Sequence, residues 1–179
     1  FAALAQNDPS PVVRRFLASA AQRIKPVNRW PIVEALLAHG EDAEDHNLPL
    51  LYWYAAEPLV TLDPARALAL GQSTSIASIR PYFTRRQAEA VANAAGTSGN
   101  NQQDGMLSLI SALAESTDPA YHLEILGSLI NATEGQKNLT PPDTWGHTYA
   151  KLSASRDPNV VEKADALAAR FGNRSVFRT

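Results

Sequence analysis

Residues 46–60 read HNLPLLYWYAAEPLV. Tyr52, Trp53 and Tyr54 stand in a row, one carboxylate (Glu57) interrupts the apolar run, and Pro49 and Pro58 bracket it. A helix over 48–60 is apolar on nearly every side, so it belongs inside, between flanking helices. Pro49 opens that helix. Pro58 has no amide and frees the carbonyl of Tyr54, which predicts a bend or an end there. A helix that needs cover on most of its surface demands neighbours, and the rest of the chain is read for them.

Alanine and leucine dominate, and no stretch alternates for long with the period of a strand. Apolar residues recur at three- and four-residue steps instead. Val12, Val13, Phe16, Leu17, Ala20 and Ile24 form one such set. Val160, Val161, Ala164, Leu167, Ala168 and Phe171 form another, and both predict amphipathic helices. Asp-Pro pairs at 8–9, 63–64, 118–119 and 157–158 mark helix starts. Aspartate accepts from free amides at the N-cap, and proline at the next position has no amide to leave unpaired. Thr140-Pro141-Pro142 predicts one more start. Glycines mostly mark helix ends, and Gly127, which falls mid-pattern, predicts a close helix contact.

Together these signals predict nine helices, about 9–24, 29–39, 48–60, 64–70, 76–95, 104–116, 119–133, 142–154 and 158–171. Short connections predict antiparallel neighbours. The segment GTSGNNQQDG, 96–105, is polar and glycine-rich and reads as a loop or as a boundary between sub-bundles within a single domain over 1–172. Residues 173–179 read as an irregular tail. The Asp-Pro pairs lie 55, 55 and 39 residues apart. Helical-pair repeats of the HEAT type run about 40–47 residues, so the fold class read here is all-α, an irregular HEAT-like right-handed α-solenoid.

Composition bounds function. The chain has 179 residues, a net charge of −2 and no cysteine. A surface that binds nucleic-acid phosphates carries a basic excess, which is lacking here. Without cysteine there are no disulfides, thiolate metal sites, cysteine nucleophiles or haem thioethers within the chain. No apolar run reaches the roughly 18 residues of a membrane span. The chain opens Phe-Ala-Ala-Leu with neither a methionine nor a basic, apolar leader, and reads as a piece of a longer polypeptide.

Three groups of residues are candidates for chemistry. A carboxylate inside an apolar helix needs a partner. Glu57 shares a face with Trp53, and the stretch IRPYFTRRQAE offers Arg80, Arg85 and Arg86. A structural pair of Glu57 with Arg85 or Arg86 is the reading favoured, and a ligand groove around Trp53 and Glu57 is the alternative. The stretch HGEDAEDHN, 39–47, holds Asp42, Asp45 and His46, possible metal ligands by type. It lacks the EF-hand ladder and H-E-x-x-H, and reads as a solvated acidic loop in which Asp45 or Asn47 caps the next helix. Arg14, Arg15 and Arg23 lie on one helix and Arg80, Arg85 and Arg86 on another; they pair with acidic residues, face solvent, or dock an acidic partner. Nucleophile-elbow, dinucleotide and P-loop motifs are absent from the sequence.

NDPSPVVRRFLASAAQRI, 7–24, resembles the second helix of a HEAT repeat, D-x-x-x-x-V-R before an alanine/leucine face, with Asp8, Val13 and Arg14 in the matching places. Residues 1–90 further resemble the helical-repeat region of multidomain c-type-haem proteins of planctomycetes and related bacteria, often described as membrane-bound dehydrogenases. RRFLASAAQRI, RWPIVEALLAHGEDAEDHNLPLLYWYAAEPLV and IRPYFTRRQAE carry that resemblance, and residues 100–179 match less distinctly. In that family a propeller-like domain precedes the repeats and a C-x-x-C-H haem domain follows them. The resemblance implies that this chain is the repeat spacer, with no cofactor of its own and no catalytic residue. It implies flanking domains or another protein as partners, and a periplasmic or cell-envelope setting.

Overall fold

The computed structural model describes residues 1–93, 100–136 and 139–172, and all regular structure among them is helical. The ten α-helices among these residues are α1 (Ala2–Asn7), α2 (Pro11–Ala21), α3 (Trp30–Leu37), α4 (Leu48–Leu62), α5 (Pro64–Ser73), α6 (Arg80–Asn93), α7 (Asn100–Glu115), α8 (Pro119–Ala132), α9 (Trp145–Ser153) and α10 (Pro158–Arg170). The sequence reading missed α1, whose six residues are too few to show a period. The chain divides into two compact units, Phe1–Arg86 and Gln87–Thr179, and the division falls within α6. The segment 96–105, read as a loop or boundary, already belongs to α7 from Asn100 onward. Residues 94–99 and the tail 173–179 lie outside the described residues.

Three of the four Asp-Pro starts form as their chemistry dictates. Asp63, Asp118 and Asp157 are N-caps whose carboxylates accept from Arg66, Ala120 and Asn159 amides, each with proline in the first turn. Asp8 is the exception. Its carboxylate accepts from the Ser10 amide at 2.9 Å, and the N-cap falls two residues on, at Ser10, with Pro11 opening α2. Thr140-Pro141-Pro142 does not start a helix either; α9 begins at Trp145. Gly135 and Gly172 follow helix ends with φ of +76° and +82°, the left-handed conformation glycine adopts without steric cost.

In the Phe1–Arg86 unit α1 packs on α2 and α3, α2 on α3 and α4, and α4 on α3 and α5. The core runs from Ala5 through Leu17, Val33, Leu36, Tyr52 and Leu59 to Ile79 and Phe83. Helix α4 is its centre: seven of its residues are buried, from Leu48 to Val60. It passes through Pro58 and ends at Leu62, so the predicted end at Pro58 is not made. Helix α5 presses on α6 through Gly71, which lies inside the helix rather than at its end. A β-carbon there would stand 2.8 Å from Cγ of buried Phe83.

In the Gln87–Thr179 unit α7 packs on α8 and α9, and α10 on α8 and α9. Leu109, Ile110, Leu113, Ile125, Leu126, Leu129, Val160, Ala164 and Leu167 form its buried faces. The side chain of Gln87 donates to the Gly105 carbonyl at 3.0 Å, and that of Gln136 donates to the Ala92 carbonyl at 3.1 Å. A β-carbon on Gly127 would meet nothing nearer than Lys163 Nζ at 4.0 Å. Helix α8 does pack on α10, but Gly127 itself is not the point of close approach expected from the sequence.

Candidate functional site

The residues singled out from sequence meet in part. Arg86 Nε donates to Glu57 Oε1 at 3.0 Å, so of the two proposed partners Arg86 is the one in contact. The pair sits at the surface, with the Glu57 and Arg86 side chains 41% and 30% exposed. The interior carboxylate expected from the sequence is thus a half-exposed one, because Glu57 falls on the one stripe of α4 that meets water. Trp53 is 8% exposed and stands edge-on to Tyr82 and Phe83, with ring centroids 5.5 and 5.1 Å away. Arg85 lies over the Tyr82 ring, 5.0 Å from its centroid, and Arg80 opens α6, partly buried. These residues form a packed aromatic cluster beside a surface ion pair.

The buried charge lies elsewhere. Asp42, read as part of a solvated loop, is turned inward. Arg14 Nε and Nη2 donate to its two oxygens at 2.7 and 2.6 Å, and the Tyr52 hydroxyl donates to Oδ2 at 2.5 Å. A guanidinium fork matches a carboxylate in this bidentate way. All three side chains are buried. Burial pushes the Asp42 carboxyl up, and the hydrogen bonds from Arg14 and Tyr52 outweigh it, so the group is held below the usual carboxylate range. The same bond to Asp42 raises the Arg14 guanidinium, and burial followed by the bond to Asp42 raises the Tyr52 phenol. Arg14 also donates to the Asp8 carbonyl at 3.1 Å, tying the start of α2 to the turn before α4.

One sequence signal pointed to Arg14. It lies three, four and seven positions from Leu17, Ala18 and Ala21, and these four are the residues of α2 that are buried. The apolar set read from the sequence, which included Val12 and Phe16, is therefore rotated from the true inner face. Val12 and Phe16 are 56% and 63% exposed.

A second buried cation, Arg29, holds main chain alone among its described contacts. It donates to the carbonyls of Ile24 at 2.7 Å, Gln22 at 2.9 Å and Ala55 at 3.3 Å. It closes the open end of α2, where a cation complements the helix dipole, and reaches the middle of α4. Burial lowers its affinity for the proton from the ordinary arginine value.

The remaining metal candidates have structural roles. Asp45 Oδ1 accepts from the Asn47 and Leu48 amides at 2.8 and 2.9 Å, and these two bonds hold its carboxyl below the usual range. Of the two residues expected to cap α4, Asn47 holds the N-cap position without a side-chain bond, and Asp45 supplies the acceptor for the first amide of the helix. His46 is exposed. His39 lies within hydrogen-bond distance of Glu41 Oε1 (2.6 Å) and of the Ala5 carbonyl (2.7 Å) at the end of α1. Among the described residues no group of three or more histidines and carboxylates gathers where a metal could be held.

Two grooves lie on the surface of the described residues. One, of about 470 Å³, lies between α3 and α5 under the Glu34–Arg66 pair, with Leu37, Leu70 and Ser73 on its walls. The other, of about 450 Å³, is lined by Met106 and Leu107 of α7 and by the Thr140–Thr144 connection. No helix among the described residues is long and apolar enough to cross a membrane. The chain matches no protein-family model, no curated protein and no solved structure.

Proposed function

We propose that the chain is a non-catalytic helical-repeat scaffold of the HEAT type, a protein-interaction module within a larger haem-containing redox protein. One observation carries this reading: in each unit helices pack on the next helix and on the next but one, α1 with α2 and α3, α2 with α3 and α4, α7 with α8 and α9, while α8 packs on α10. Stacked helical pairs make contacts of this kind, and each pair buries a face that it cannot bury alone. The ties between α2 and α4 support it. Arg14, near the start of α2, holds Asp42, just before α4, while Arg29 joins the end of α2 to Ala55 at the middle of the longer α4. Two helices joined start to start and end to middle run side by side in one direction, as equivalent helices of successive repeats do.

The redox parent is inferred from the resemblance of residues 1–90 to the repeat region of c-type-haem proteins. The haem chemistry belongs to the parent; this chain has no cysteine to carry a thioether. The test is the reading frame that encodes the chain. A C-x-x-C-H motif downstream and a propeller domain upstream are the expected finding, and a parent with neither overturns the redox assignment. Dye-linked oxidation of sugars by the purified chain is expected to stay at background, and turnover by the chain alone would overturn the non-catalytic one.

A further inference from the structure

Helix α2 shows solvent a stripe made of Val12, Phe16 and Ser19, spaced by three and four residues, and Arg23, expected from the sequence on the same helix, is exposed in the turn that follows it. Phe16 is 63% exposed, with the Arg15 guanidinium 5.5 Å from its ring centroid. Helix α4, packed beside α2, shows a stripe of its own through Leu50 and Tyr54, which are 42% and 46% exposed. Each stripe lies two positions from a member of the buried cluster, Arg14 on α2 and Tyr52 on α4, so it points away from that cluster into solvent. Large apolar groups exposed along two helices packed on each other make this the candidate surface for docking.

The charge along the α2 side of this face is one-sided. From Pro9 to Val33 there is no acidic residue, while Arg14, Arg15, Arg23, Lys25 and Arg29 fall within it. Arg14 and Arg29 are buried and held by partners inside, which leaves Arg15, Arg23 and Lys25 at the surface. The single carboxylate of α4, Glu57, is taken by Arg86. A chain with net charge −2 thus presents a basic rim here. The basic rim has a direction. Glu41 and Glu44 are exposed just before α4, at the end where α2 also starts, and Arg23 and Lys25 stand at the opposite end.

We infer that the solvent side of α2 and α4 docks an amphipathic acidic helix of a partner protein. Its apolar residues lie along Val12, Phe16 and Tyr54, and its carboxylates meet Arg23 and Lys25. This rests on the interaction-module reading above and adds to it a surface, a partner class and an orientation. A helix laid along two neighbouring helices gains affinity from its apolar anchors and register from its charges. An anionic membrane is the poorer fit, because its lipid headgroups would also face Glu41 and Glu44.

The test is a selection on the intact chain from a displayed library of helices. Leucines keep a fixed i, i+4 spacing, and the flanking positions vary among Glu, Lys and Gln. Glutamate is expected to enrich at the end that meets Arg23. The enriched helix is expected to bind about tenfold more weakly to Phe16→Ser and to Arg23→Glu, to weaken as salt rises, and to bind Leu107→Ser as it binds the native chain. Circular dichroism checks each variant; Arg23 is exposed, so Arg23→Glu remains decisive if Phe16→Ser unfolds. Lysine enrichment, no enrichment, or binding that neither variant weakens would overturn the proposal. So would Phe16-dependent flotation with phosphatidylserine vesicles without helix enrichment, which gives the face to a membrane. A failed selection removes this surface and leaves the repeat scaffold standing, whereas a parent lacking haem motifs removes the redox assignment without touching the selection.

Discussion

The Phe1–Arg86 unit and the Gln87–Thr179 unit face the same problem, how to satisfy polar groups and helix ends between packed layers, and they use different groups to do it. The first buries full charges, Arg14 against Asp42 and Arg29 against three carbonyls. In the second, the buried polar side chains among the described residues are uncharged or imidazole: Gln87, His122, Thr133 and Thr148, bonded to nearby carbonyls. Its cations stay partly in water and reach helix ends from outside. Lys151 donates to the Ala114 and Ser116 carbonyls at the end of α7, and Arg170 to the Ile130 carbonyl and the Thr133 hydroxyl at the end of α8. A buried charge tolerates no loss of its partner, whereas a half-exposed cation is replaced by water. The two units should therefore answer mutation very differently, and hydrogen exchange followed by mass spectrometry reads each one separately.

The largest effect is expected at Asp42. Asp42→Ala leaves the Arg14 guanidinium buried without a counter-charge, which costs about 3–5 kcal/mol. Exchange protection should collapse across α2 and α4 and hold across α8 and α10. Adding Arg14→Met to Asp42→Ala should recover much of the loss, since an apolar replacement of a buried pair is often neutral. By contrast, Lys151→Met at the end of α7 should cost about 1 kcal/mol. A loss at Asp42 as small as that at Lys151 would break the distinction between the units.

The same cluster predicts a pH response with a definite sign. The folded-state carboxyl of Asp42 lies below its ordinary 3.8. Its contribution is therefore complete above that value and is lost as pH falls through the lower, folded one. The Tyr52 phenol is shifted up from its ordinary 10.0. Its contribution is complete below pH 10 and is lost as pH rises beyond it. Urea midpoints for the first unit should fall at both extremes, and Tyr52→Phe should remove the alkaline limb and make the acid limb shallower, because its hydroxyl also bonds Asp42. An acid limb that survives Asp42→Ala unchanged would assign it to other carboxylates.

Two glycines inside helices carry the comparison to backbone packing. Gly71→Ala places a methyl 2.8–3.0 Å from three atoms of Phe83, a ring buried and pinned edge-on by Trp53. Overpacking of this kind costs about 1–3 kcal/mol, more than the gain in helix propensity returns. Gly127→Ala meets only the end of the Lys163 side chain and should stabilise the second unit by about 0.5–1 kcal/mol. Thermal midpoints should move in opposite directions; the same sign for both would mean that Phe83 can yield.

What the sequence made legible follows from the range of each interaction. The caps at Asp63, Asp118 and Asp157 depend on amides two or three residues away, and they were readable. Asp8 offered the same dipeptide, but Ser10-Pro11 supplies a competing start just beyond it. The inner face of α2 was misread because apolarity alone puts Val12 and Phe16 inside, while the true face turns on Arg14, whose partner lies 28 residues away. Asp42 was misread for the same reason: an acidic run looks solvated until the cation that draws one member inward is known. The Glu57 partner was readable because a lone carboxylate on an apolar helix limits the choice to a few nearby arginines.

The smallest effect is expected at that pair. Glu57 and Arg86 meet through one 3.0 Å hydrogen bond, and both side chains keep a third or so of their surface in water. Such pairs contribute about 0.2–1 kcal/mol. In a double-mutant cycle of Glu57→Gln and Arg86→Ala, urea midpoints should give a coupling in that range, which shrinks in high salt. Both sites sit in the unit that also holds Asp42, so the cycle separates two explanations of its sensitivity. If sensitivity comes from burial of charge, Glu57 is nearly silent while Asp42 is not. If any ion pair in this unit is costly to break, the coupling at Glu57 approaches the Asp42 loss, and the contrast between the units then lies in their packing rather than in where they keep their charges.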